Sequence, residues 1–194
     1  MEVGFNIIAK YFGDLTNEQQ QRFEALGALY HEWNAKINVI SRKDIDSLYL
    51  KHILHSLAPA AIFDFKPGMQ VMDIGAGGGF PSIPLAIMYP ETNFLAVDSI
   101  RKKLSVIEVV AEGANIQNIQ TLHSRAEDIR NKKFDAVVSR AVAPLKDLWQ
   151  WTHRLIRNNN EVKKHFMTPG SDELIPCGLV CLKGGDLAQE ISKT

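Results

Sequence analysis

Val71-Met72-Asp73-Ile74-Gly75-Ala76-Gly77-Gly78-Gly79-Phe80-Pro81 leads directly into Ser82-Ile83-Pro84-Leu85-Ala86-Ile87-Met88. An apolar run ends in a glycine-rich turn, and a helical stretch with proline in its first turn follows, so the segment reads as strand, turn, helix. Glycines at such a turn let backbone approach a ligand that larger side chains would exclude. The turn also lies at the carboxyl end of a strand, where open α/β sheets bind ligands.

Outward from this segment the same alternation continues. NFLAVD reads as a second strand and Lys102 to Glu112 as a helix, while IQTLH, FDAVVS and GLVCLK are further strands. A helix is expected from about Leu145 to Arg157, and 158–173, NNNEVKKHFMTPGSDE, as an exposed loop. Five strands, near 70, 95, 120, 136 and 180, alternate with helices, which argues for an α/β fold with a doubly wound parallel sheet. Before residue 66 the period is helical. Thr16 and Gln19 fit a capping box, and Phe23, Leu26, Leu29, Tyr30, Trp33 and Ile37 share one stripe. Ser41 and Asp44 mark a second helix start ahead of SLYLKHILHSLAPAAIF. The chain divides into a helical extension, 1–65, and a sheet domain, 66–194.

Composition narrows the function. The chain has 194 residues, 45% hydrophobic and 23% charged, as in an ordinary globular protein able to bury a core without staples. Lys plus Arg is 22 and Asp plus Glu is 22, so no global field draws in nucleic acid or a membrane surface. No run of about 18 apolar residues predicts a membrane span, and MEVGFNIIAKYFGDL does not resemble a signal peptide. Cys177 and Cys181 are the only cysteines. On one strand they face the same side, as two buried thiols of a reducing compartment, which makes the cytoplasm the expected location. No metal site is expected, because His52 and His55 suggest no third ligand and the other histidines form no triad with Ser or Cys.

The turn chooses between cofactors. A dinucleotide site requires G-x-G-x-x-G, and here Gly75 and Gly77 match while the third position is Phe80. Asp73, two residues ahead of the first glycine, is awkward beside a pyrophosphate but suits the cationic amino-acid end of S-adenosylmethionine, directly or through water. No G-K-[ST] follows, so a P-loop is excluded. Asp98 ends the second strand, where a carboxylate can accept from both hydroxyls of an adenosine ribose. The His123-Ser124-Arg125-Ala126-Glu127-Asp128 segment can serve the adenine edge, or equally a helix N-terminus. Arg140, at the end of an apolar strand, needs a partner if buried. Arg101, Lys102, Lys103, Arg125, Arg130, Lys132, Lys133 and Arg140 gather near strand ends or in turns, usually a solvated surface balanced by nearby acids, though several follow the carboxyl ends of strands, where a phosphate backbone would arrive.

Together, NVISRKDIDSLYLKHILHSL, DIGAGGGFPSIPLAI, VDSIRKK, the SRAED segment, FDAVVSRAVAPL and LVCLKGG resemble the glucose-inhibited division protein B family of bacterial 16S ribosomal RNA guanine-N7 methyltransferases. That resemblance implies a Class I S-adenosylmethionine-dependent methyltransferase fold, Rossmann-like, with an N-terminal helical cap. It carries methyl-donor contacts onto Gly75, Phe80, the Ala126–Glu127 pair and Arg140. Gly77 and Asp98 join them as cofactor-binding candidates, Asp98 at the general ribose position. It implies as substrate one guanine in the decoding-region loop, in 16S ribosomal RNA or the small subunit, with a monomer away from membranes expected. Members of this class usually close the sheet with an antiparallel hairpin, which residues 186–194 are too few to build, so the C-terminal hairpin is expected to be missing and the sheet edge exposed.

Guanine N7 already carries a lone pair, so no catalytic acid/base pair is expected and no catalytic residue is assigned. Alignment of N7, methyl carbon and sulfur can supply about 7–11 kcal/mol. Arg125 or Arg140 can hold guanine O6 or a neighbouring phosphate. Three other readings stay open at this point: a nicotinamide-dependent oxidoreductase, opposed by Asp73 and Phe80; a nucleotide- or ribosome-binding module with an inactive pocket; and a small-molecule methyltransferase.

Overall fold

The computed structural model describes residues 4–140, 142–168, 170–185 and 187–192. Two helices open the chain, α1 (Asn6–Tyr11) and α2 (Asn17–Lys36). Thr16 and Gln19 close the expected capping box at the start of α2. A 3-10 turn (Ile45–Ser47), a π-helical turn (Leu48–Leu54) and a second 3-10 turn (Ala58–Ala61) lead to the sheet region. The sheet region runs β1 (Gln70–Ile74), α3 (Ser82–Met88), β2 (Asn93–Asp98), α4 (Arg101–Gly113), β3 (Ile119–His123) and β4 (Ala136–Arg140). It continues with α5 (Leu145–Thr152), α6 (Asn159–Phe166), β5 (Gly178–Leu182) and α7 (Ala188–Ile191).

All five strands pair in parallel in the order β3-β2-β1-β4-β5, the doubly wound α/β arrangement expected. The chain adds strands to one side of β1 and then crosses to the other, so a topological switch point lies between β1 and β4. Alternation along each strand feeds two cores. Val71, Ala96 and Val138 join a core with Phe23, Leu26, Tyr30, Leu85 and Val106. Met72, Ile74, Val97 and Val137 join Leu148 and Leu155 on the opposite face. Burial on both faces explains why these strands are nearly continuous apolar runs.

The N-terminal helices are part of the first core: Ile8, Tyr30, Ile53 and Leu57 are fully buried in it. Polar ties reinforce this packing. Gln19 Nε2 donates to the Ile87 and Met88 carbonyls at 3.2 and 2.9 Å, satisfying the free end of α3. Buried Asn34 accepts from Val39 N and Ile40 N at 2.9 and 2.8 Å and donates to Ile40 O at 3.0 Å, fixing the chain that leaves α2.

Four local expectations are corrected. Residues 158–173 are not simply a loop, because 159–166 form α6. Asn158 caps it by accepting from Asn160 N at 2.9 Å, and Val162 is buried with Phe166 packed one turn later. Spacing wins over polar composition here. The helix from Leu145 ends at Thr152 in a 3-10 turn rather than reaching Arg157. Ser41 does not cap a helix: its hydroxyl accepts from Lys43 N, and the helical path starts as the 3-10 turn at Ile45. Cys177 and Cys181 do not share a side. Cys177 precedes β5 and packs on the first core, whereas Cys181 packs on the second, and both are half-buried. Gly178, with φ +121°, interrupts the pleat between them.

Candidate functional site at the carboxyl edge of the sheet

A cavity of about 580 Å³ opens at the carboxyl ends of β1 to β4. Its walls include Gly75, Gly77, Phe80, Asp98, Arg125, Ala126, Glu127 and Arg140, so the structure brings every candidate site residue to one place. Asp73 does not line it. Its carboxylate is fully buried beneath the turn, where one oxygen accepts from Ser82 N at 3.1 Å and the other has no partner among the described residues. Burial raises its pKa to about 7, with Ser82 and the Arg140 charge pulling the other way. Direct contact with a ligand amine is therefore replaced by a role at the start of α3.

The glycine turn has a backbone that side chains resist. Gly75, Gly77 and Gly79 have φ of +66°, +55° and +95°. A Cβ on Gly79 would lie 2.6 Å from Ile83 Cγ1 and 3.3 Å from the Tyr30 hydroxyl. Buried Tyr30 donates to the Gly78 carbonyl at 2.6 Å, tying the turn to α2. Burial pushes the Tyr30 phenol well above its ordinary pKa, which keeps it a donor. The Phe80 ring, itself buried, packs on Tyr30 at 4.8 Å and on His52 at 5.4 Å.

Asp98 is 8% exposed and accepts from Gly77 N at 2.9 Å and Ile100 N at 2.8 Å, one bond to each oxygen. A carboxylate has about four acceptor positions, so both oxygens retain capacity toward the cavity. Next along the rim, the 3-10 turn Ala126–Asp128 is held from outside. Arg154 donates to the carbonyls of Ile129, Ala126 and Glu127 at 2.7, 2.9 and 2.8 Å. Arg130 adds bonds to the Glu127 and Ile129 carbonyls. With these carbonyls engaged, the Ala126 and Glu127 N–H groups have no protein acceptor among the described residues.

Arg140, at the end of β4, is half-buried with its guanidinium 5.0 Å from the centre of the Phe80 ring. It donates to His52 Nδ1 at 3.0 Å and to Lys51 O at 3.3 Å. No carboxylate lies within 4 Å of it among the described residues, so the ion pair that burial could have required is not there. Burial lowers its pKa from the ordinary arginine value.

Of the other basic candidates, Lys103 and Arg125 reach the cavity. Arg101 pairs instead with Glu108 at 3.0 Å, and Lys133 donates to the Arg154 carbonyl. Several wall residues escaped the sequence reading. Val39, Ile100, Val142 and Trp151 supply apolar surface, and His52 and Tyr30 support the wall from behind. Ile100 was findable, since it follows Asp98 closely at the end of the second strand. Val39 and Trp151 come from distant segments with no local signal. Among the described residues, no group of three or more His, Cys, Asp or Glu could hold a metal, and no helix is long and apolar enough to cross a membrane.

Comparison with known proteins gives the family. Residues 19–164 match the family model described as rRNA small subunit methyltransferase G. A curated protein named "Ribosomal RNA small subunit methyltransferase G" from Porphyromonas gingivalis is 51% identical over 188 residues, covering 97% of this chain and 80% of its own. The Bacteroides thetaiotaomicron protein of the same name is 52% identical over 184 residues, covering 95% of this chain and 84% of its own. Among solved structures, a precorrin-6y C5,15-methyltransferase from Geobacter metallireducens overlaps 63% of this chain and 61% of its own, at 16% identity and a TM-score of 0.45. With the family match spanning most of its length, the chain belongs to the rRNA small subunit methyltransferase G family, whose members are S-adenosylmethionine-dependent methyltransferases of the Class I fold.

Proposed function

We propose that this chain transfers the methyl group of S-adenosyl-L-methionine to N7 of one guanine in the decoding-region loop of 16S ribosomal RNA, as a cytoplasmic monomer acting on the RNA or the small subunit. The observation that carries the reading is the single cavity that joins the glycine turn, Asp98, the 126–127 N–H groups and Arg140. The residues fit the methyl donor group by group. Gly75 and Gly77 bring backbone close to it, and Asp98 has acceptor capacity for two ribose hydroxyls. The N–H groups of Ala126 and Glu127 are donors for the adenine edge, beside the apolar surface of Ile100 and Trp151. Phe80 supports the amino-acid end together with Arg140.

When bound, the cofactor supplies an activated methyl group on a sulfonium. The protein's own work is alignment. Guanine N7 attacks as a lone pair, so no residue has to remove a proton from it first. The rigid turn and rim fix the distance and angle of approach. Arg125, exposed at the mouth, is placed for guanine O6 or an adjacent phosphate, a role Arg140 can share.

The test is methyl transfer from radiolabelled cofactor to small subunits and to naked 16S RNA, followed by borohydride and aniline cleavage, which cuts RNA at N7-methylguanine. One labelled guanine in the decoding region is expected. Label at another base or on a small molecule, or saturable S-adenosylhomocysteine binding without any transfer, would overturn the reading.

A further inference from the structure

The HILHSL stretch carries two histidines with no part so far in the chemistry, and one of them makes the shortest polar contact to Arg140. Arg140 has an unusual set of partners for a half-buried cation. The Lys51 carbonyl, the His52 Nδ1 and the face of Phe80 are all neutral. They orient the guanidinium without balancing its charge. The ionisable groups that feel it are Asp73 and Tyr30 behind and His52 and His55 beside it. Asp73 is held by the start of α3 and Tyr30 remains a neutral phenol, so neither supplies a contacting anion. A guanidinium aimed into a cavity under these conditions selects a carboxylate or phosphate from the ligand.

We propose that His52 is a positioning residue: its Nδ1 holds the Arg140 guanidinium against the cavity wall as the receptor for the α-carboxylate of S-adenosylmethionine. The inference rests on the cofactor reading above and names the device that orients its amino-acid end. The local backbone supports it. Lys51 and His52 lie in the π-helical turn Leu48–Leu54, a geometry that recurs at functional sites, and both turn a hydrogen-bond acceptor to Arg140. Because Arg can only donate, His52 must accept at Nδ1 and carry its proton on Nε2. That atom is buried without a partner among the described residues, a cost that the contact with Arg140 has to offset. Burial and the Arg140 charge together lower the His52 pKa to about 4, so the ring stays a neutral acceptor at neutral pH. The carboxylate is favoured over an RNA phosphate because Arg140 packs on Phe80, at the inner end of the glycine turn, whereas Arg125 stands exposed at the mouth.

Calorimetric titration of the full chain with S-adenosylhomocysteine and with 5′-methylthioadenosine, which lacks the amino-acid end, tests this. His52→Ala is expected to weaken S-adenosylhomocysteine about tenfold and 5′-methylthioadenosine less than about twofold. His52→Asn, whose Oδ1 stands near the lost Nδ1, is expected to recover affinity to within about threefold of the parent. Circular dichroism confirms that each variant folds, and the Asn variant carries the test if Ala does not. Equal loss for both ligands, or no recovery in His52→Asn, would overturn the assignment. An increased KM for RNA with unchanged S-adenosylhomocysteine affinity would overturn it in favour of phosphate. Absence of S-adenosylhomocysteine binding by the parent protein would instead defeat the cofactor reading itself.

Discussion

The two walls of the cavity are built by different physics. The inner wall, the turn Gly75–Phe80, is fixed by buried contacts: the Tyr30 hydroxyl on the Gly78 carbonyl, Ile83 against Gly79, and Phe80 packed on Tyr30 and His52. The outer wall, Ala126–Ile129, is held by the long side chains of Arg154 and Arg130 reaching its carbonyls from a partly solvated surface. A close-packed wall has no slack, so an extra methyl group there must move several neighbours. A wall held by surface hydrogen bonds can exchange a lost partner for water. Substitution on the inner wall is therefore expected to cost both fold and ligand, and on the outer wall mainly ligand.

The sharpest way to break this comparison is Gly79→Ala. Its φ of +95° disfavours any side chain, and the new methyl would meet Ile83 and Tyr30. Backbone strain and overpacking together are expected to destabilise the protein by roughly 2–5 kcal/mol. S-adenosylhomocysteine affinity should fall by more than about two orders of magnitude, at roughly 1.4 kcal/mol for each tenfold. Urea unfolding and calorimetry on the same preparation measure both quantities. A variant as stable as the parent would show that the inner wall is pliable and remove the basis of the contrast.

Arg154→Ala asks the same question of the outer wall. Three carbonyl bonds are lost, but water can reach the turn, so a stability loss of about 1–2 kcal/mol is expected. The N–H groups of Ala126 and Glu127 then lose their fixed direction. Affinity for S-adenosylhomocysteine and for 5′-methylthioadenosine should fall equally, by roughly three- to tenfold, because both ligands carry the adenosine this wall is proposed to serve. A selective effect on one of them would place the adenine elsewhere.

What the sequence reveals follows the same division. The strands are legible because a parallel sheet covered on both faces needs nearly continuous apolar runs, as at Phe94–Val97 and Ala136–Val138. The glycine turn is legible because positive φ has a residue signature. Asp98 and Arg140 stand out as charges that end apolar strands. α6 was hidden by its polar composition, although Val162 and Phe166 carry its periodicity. The separation of Cys177 from Cys181 depends on the φ of Gly178, which no alternation rule anticipates. The His52–Arg140 and Arg154–Ala126 contacts join segments 88 and 28 residues apart. Such pairings arise from the docking of whole elements, and a single sequence holds no local trace of them.

Beneath the inner wall, Asp73 and His52 set opposing pH dependences, and one substitution separates them. The Asp73 pKa is raised to about 7, so its folded-state advantage is complete below the unfolded carboxylate value and is lost as pH rises through about 7. The His52 pKa is lowered to about 4, so its contribution is complete above the unfolded histidine value and is lost as pH falls through about 4. Between those limits the two slopes partly cancel in the parent protein. Asp73→Asn keeps an acceptor for Ser82 N and removes only the first slope. Its stability relative to the parent should improve steadily from pH 4 to 7 and change no further above that. Urea midpoints at unit intervals from pH 4 to 8 measure the difference directly. Parallel curves would mean that Asp73 is ionised throughout, with Arg140 close enough to neutralise it, and the guanidinium would then have no need of a ligand carboxylate.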